Sequence, residues 1–82
     1  MIKIKNIKQS GDTISCEFAP ALSRRYAYLK FNIETLETIE LDYSEFHAKQ
    51  YLYVAAVKFR ILELCNSEKR LPRRAVAKLQ DE

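Results

Sequence analysis

The side chains of this 82-residue chain that could do chemistry are few and poorly placed for it. His47 is the sole histidine, with Ser44 and Glu45 close by in sequence. A nucleophile, a base and an orienting acid must converge on one point, and near-consecutive helical residues point in different directions. His47 is therefore read as an ordinary surface or rim histidine. Glu37, Glu40, Asp42 and Glu45 crowd one stretch. They suit a turn and a helix start, where carboxylates meet the positive end of the helix dipole, better than a carboxylate pair working on a substrate. Cys16 and Cys65 are widely separated, sit among apolar neighbours and lack the paired spacing of a zinc or redox motif. Two buried thiols is the simpler reading, with a disulfide between them as the alternative. The chain thus offers no catalytic residue, no cofactor site and no metal box, and is expected not to be an enzyme.

Cationic chemistry is more concentrated. Lys69, Arg70, Arg73 and Arg74 flank Leu71 and Pro72 and form the densest positive patch in the sequence. Such a patch attracts phosphates in a salt-sensitive way, although a solvated helix end followed by a polar turn produces the same run. Strand alternation would set Lys3, Lys5, Thr13, Ser15, Tyr26, Tyr28 and Lys30 on one solvent face. That mixture superficially resembles sheets that stack bases on aromatics between cations. Tyrosine is favoured in strands without any ligand, and Glu17, Glu37 and Glu40 would oppose a phosphate backbone. A net charge of +3 and a pI near 9.0 permit nucleic acid as a partner without demanding it.

The strongest pattern is apolar. Across residues 43–65, stepping 100° per residue gathers Phe46, Tyr53, Val54, Val57, Ile61, Leu64 and Cys65 into one stripe. A second set, Tyr51, Leu52, Ala55, Ala56, Phe59 and Leu62, falls largely on the other side. One sheet needs only the first stripe. The second calls for a further cover: a second copy of the chain, another protein, or the C-terminal segment folding back through Leu71, Val76 and Leu79. The expected protein interface is Tyr51, Leu52, Ala55, Phe59 and Leu62, aromatic anchors with small residues between them. A homodimer is the most economical cover, because a symmetric contact uses the same patch twice.

Elements to carry these residues follow from periodicity. Ile2, Ile4 and Ile7 open a strand over residues 2–8. Ser10, Gly11 and Asp12 supply a hairpin turn with the chain's only glycine. Residues 13–18 alternate cleanly, with Ile14, Cys16 and Phe18 inward, and residues 19–23 around Pro20 read as a loop. A second hairpin joins residues 25–33 to 37–41, with Ile39 and Leu41 inward. Asp42 followed by Glu45 resembles a capping box, and Pro72 forbids continuation of the helix that follows. Residues 73–79 are ambiguous, leaning to a short helix on alanine's propensity. The expected fold is α+β: a four-stranded antiparallel meander of two hairpins packed by one long helix, with a short C-terminal element, as a single domain over residues 1–82. The expected core is Ile2, Ile4, Ile14, Cys16, Phe18, Leu29, Phe31, Ile39, Leu41, Phe46, Val57, Ile61 and Leu64.

Hydrophobic residues make up 48% and charged residues 30% of the chain, the balance of a folded domain. No basic segment leads into a continuous apolar run at the start, and no apolar stretch approaches bilayer length. A soluble cytoplasmic protein with no membrane contact is expected. Arg25, Tyr26, Ala27, Tyr28, Leu29, Lys30, Phe31, Asn32, Ile33, Glu34 and Thr35, then a long helix, then Leu71 and Pro72, resemble small uncharacterised prophage and mobile-element proteins of Gram-positive bacteria. The resemblance covers most of the chain after residue 24. It implies no enzymatic activity and transfers no functional residue. The reading is a non-enzymatic protein-binding or self-assembly module, with weakly basic nucleic-acid binding as the alternative.

Overall fold

In a computed structural model, residues 1–42, 50–67 and 70–78 are described. The chain forms β1 (Ile2–Ser10), β2 (Thr13–Pro20), β3 (Ala27–Asn32), β4 (Thr38–Asp42), α1 (Gln50–Ser67) and β5 (Ala75–Ala77). All neighbouring strands are antiparallel, in the order β4-β3-β2-β1-β5, so the α+β class holds, with five strands among the described residues. The C-terminal element is a strand, not the short helix that alanine propensity suggested. It pairs with β1 in the register Ile2 to Ala77 and Ile4 to Ala75. An available sheet edge and burial of Ala77 override a local preference of a few tenths of a kcal/mol per residue.

The first hairpin turns on Gly11 and Asp12, with Ser10 opposite Thr13. Gly11 has φ +60°, as Gly does at the first position of a two-residue loop. Further back, the β1–β2 register shifts between Lys5 and Lys8. Asn6, at φ +54°, occupies this bulge, and its amide donates to the Glu17 carboxylate. The bulge explains the spacing of the isoleucines: Ile2 and Ile4 alternate normally, and the extra residue returns Ile7 to the inner face, where it is buried.

Strand β2 runs through Ala19 to Pro20, two residues beyond the expected loop boundary. The β3 ladder ends with Ala27 opposite Phe18, so Pro20 faces only β1 and its missing N–H leaves no gap. Ala19 is fully buried but lies outside the main apolar cluster. Its register partner is Lys3, which places it on the polar face.

The β3–β4 connection is held by Asn32. Its Oδ1 accepts from the Glu34 and Thr35 amides at 2.8 and 3.0 Å, and its carbonyl accepts from Leu36 N at 2.7 Å. Leu36 adopts φ +64°, a left-handed conformation that costs a non-glycine residue roughly 1 kcal/mol. Its side chain packs against the core. The β3–β4 register slips between Lys30 and Phe31. This leaves Ile39 out of step and 54% exposed, which corrects the expectation that it is a core residue. Leu41 keeps its register with Leu29 and is partly buried.

The core lies between the inner sheet face and α1. Ile2, Ile4, Ile7, Ile14, Cys16, Phe18, Ala27, Leu29 and Phe31 meet Val54, Val57 and Ile61. The helix is fastened laterally by two cations that point to opposite sides. Lys58 Nζ donates to the Leu36 carbonyl at 2.6 Å and to Thr38 Oγ1 at 2.8 Å. Arg60 Nε donates to the Val76 carbonyl of β5 at 3.0 Å. Phe46, His47 and the capping-box residue Glu45 lie outside the described residues, as does the expected helix start.

Candidate interaction surfaces

Phe59 stands between those two cations in sequence, roughly 100° from each around the helix. With Lys58 reaching one flank of the sheet and Arg60 the other, Phe59 is directed away from the sheet and is 63% exposed. Tyr51, two turns earlier on the same side, is 75% exposed. Leu52, Ala55 and Leu62 lie beside them and are partly covered. The five residues expected as a protein interface thus share one side of α1, with the two aromatics the most open.

Among the described residues the C-terminal segment folds back onto the edge of the sheet through β5. Leu71 packs against the core and Ala77 is buried, while Val76 is 45% exposed beside Lys3 on the polar face. Leu79 lies outside the described residues. Next to Leu62, an open depression of about 330 Å³ is lined by Ile33, Leu62, Cys65 and Leu71 together with the polar Gln9, Glu34 and Asn66.

The basic residues are divided between locations. Arg70 is exposed just beyond α1, Arg73 and Arg74 are exposed ahead of β5, and Lys69 lies outside the described residues. Arg73 is anchored by its backbone, its carbonyl accepting from Ile7 N at 3.1 Å. On the polar face, register sets Lys5 beside Glu17 and Glu17 beside Tyr28, with Asp42 beyond. Lys30 is opposite Glu40. Carboxylates therefore interrupt the cations across β2 to β4. Tyr26 packs under two ammonium groups, with Lys5 Nζ 4.0 Å and Lys3 Nζ 5.4 Å from its ring centre, a cation–π arrangement.

Nucleophiles are subdued. Both cysteines are free. Burial, with a smaller contribution from Glu17, pushes the Cys16 thiol up to about 12, and burial also raises Cys65. Such thiols carry little thiolate at neutral pH. Glu37, Glu40 and Asp42 are all exposed. Among the described residues no group of three or more His, Cys, Asp or Glu could hold a metal ion, and no helix is long and apolar enough to cross a membrane.

No family model, no curated protein and no solved structure matches the chain.

The second stripe was legible from helical periodicity alone. The lateral roles of Lys58 and Arg60 were not, because their acceptors, the Leu36 and Val76 carbonyls, are backbone groups whose positions depend on the register of distant strands.

Proposed function

We propose that the protein is a non-enzymatic binding module that self-associates through the outer side of α1. The observation that carries this reading is the pair Tyr51 and Phe59, two large rings left 75% and 63% exposed on one side of a helix whose other side is fully used. Exposed aromatics clustered around small residues are typical anchors of protein contacts. In a two-fold pairing Ala55 allows close approach of the helices, and each Phe59 can turn toward the depression beside the partner's Leu62. No charged side chain stands within the stripe itself, and Lys58, Arg60 and Glu63 form its polar rim.

The oligomeric state tests this. Light scattering across a wide concentration range should show a mass above one chain, and Ala55→Glu should reduce it to one chain while leaving the circular dichroism unchanged. A wild-type mass equal to one chain at high concentration removes the self-association reading.

A further inference from the structure

The topology assembles a second surface from residues that are far apart in sequence. In the β1–β5 register Lys3 is opposite Val76, between the inward pairs formed by Ile2 with Ala77 and Ile4 with Ala75. Lys5 lies on the same face beyond Lys3, and the strand alternation, continued one residue past each end of β5, sets the exposed Arg74 and Lys78 toward that face on either side of Val76. The β2–β3 connection also arrives here: Lys3 Nζ donates to the Ser23 carbonyl at 2.8 Å, and Tyr26 lies against Lys3 and Lys5. Exposed Arg24 sits between those two anchored residues. Lys3, Lys5, Arg24, Arg74 and Lys78 therefore gather on one side of one corner of the sheet.

The carboxylates of β4 that neutralise the far half of this face are too distant to do so here. Glu40 and Asp42 are on β4, three strand positions from β1. That is about 14 Å at the usual strand spacing, beyond the screening length of about 8 Å at physiological ionic strength. Among the described residues Glu17 is the carboxylate facing this corner, opposite Lys5, and it accepts from the Asn6 amide. Among the described residues these five cations form no ion pair; the one such pair joins Arg60 to Glu63.

We infer that the outer face of the β1–β5 corner binds the phosphate backbone of single-stranded nucleic acid. Lys3 and Lys5, two residues apart on β1, recur at about 7 Å, on the scale of successive phosphates in an extended single strand, and Arg74 and Lys78 flank them from the neighbouring strand at about twice that spacing. Tyr26 borders these cations, where a base can meet an aromatic edge. The acidic β3–β4 half limits the footprint to a few nucleotides and gives the strand one favoured path. Recognition is through phosphates, so it is tolerant of sequence. This site is independent of the helix contact, and its failure would leave that reading untouched.

The test is fluorescence anisotropy with a labelled oligothymidylate of about 15 nucleotides, titrated from about 50 mM to about 200 mM salt. Wild-type protein should bind and weaken steeply with salt. The triple variant Lys5→Gln, Arg74→Gln, Lys78→Gln should flatten the logarithmic salt slope by about 2 units, at about 0.7 per phosphate contact. Arg74→Gln alone, on an exposed side chain, should flatten it by about 0.7. Arg70→Gln with Arg73→Gln, outside the corner, should change the slope little. No wild-type binding near 50 mM salt, an unchanged slope in the triple variant, or binding to phosphatidylserine vesicles in preference to the oligonucleotide would each overturn the inference.

Discussion

At the β5 end of the sheet three residues form the last strand, and the helix reaches over it so that Arg60 takes the Val76 carbonyl. At the β4 end the last strand is five residues long, bulged and acidic, with Thr38, Ile39 and Glu40 all exposed. Lys58 secures only its start, at Leu36 and Thr38. Unpaired strand edges invite further pairing, and shortness, bulges and charge are the usual defences. The two edges use different ones. On the basic edge a side chain occupies a backbone acceptor, and the acidic edge is irregular and negatively charged. The difference shows how one helix, carrying Lys58 and Arg60 two residues apart, stabilises both sides of a sheet it crosses only once.

The widest contrast lies between centre and edge. Phe31 is fully buried on β3, and Ile39, out of register beside it, is 54% exposed. Phe31→Ala should cost about 3 to 5 kcal/mol in urea unfolding, and Ile39→Ala no more than about 0.5. Similar losses at both positions would break the distinction between the ladder and its bulged rim.

Among the fastenings, Arg60→Met should destabilise by about 1 kcal/mol, the net worth of a hydrogen bond from a charged group that is partly exposed. Its specific mark should be faster amide exchange at Ala75, Val76 and Ala77 with β2 and β3 unchanged. Uniform acceleration through the sheet would show that Arg60 supports the whole fold and not the edge.

Lys58→Met should have a similar or smaller effect, confined to residues 34–40. Burial lowers the Lys58 ammonium below the ordinary lysine value, so between the two values the unfolded chain holds more protons. Stability attributable to Lys58 should therefore rise as pH climbs through that window and level off above it. Denaturant midpoints compared with Lys58→Met across alkaline pH check this, and a fall in the difference would reverse the assignment.

Local pattern carried much of this architecture. The alternation of Ile14, Cys16 and Phe18 placed β2, Gly11 marked the first turn, and the stripe of Val57, Ile61 and Leu64 gave the face that α1 buries. What escaped the sequence was decided by long-range pairing. Three residues, Ala75 to Ala77, have too little pattern to choose strand over helix until the free edge of β1 is known. Ile39 looked inward because alternation assumes an unbroken register, and a bulge cancels that assumption. The step from Ile4 to Ile7 carried the opposite lesson, since three-residue spacing in a strand already signals one. The basic corner was illegible for the same reason as β5: Lys3 and Arg74 come to one corner only through the pairing of β1 with β5.

That pairing also has a kinetic consequence. The β1–β2 and β3–β4 hairpins close over a few residues, whereas joining Ile4 to Ala75 closes a loop of about seventy, with a correspondingly larger entropy cost. Strand β5 should therefore be the last to dock during refolding and the first to detach from the native state, in a partial opening that leaves the meander intact. Each detachment would separate Arg74 and Lys78 from Lys3 and Lys5. Residence time on a polyanion would then depend on the lifetime of three residues of strand.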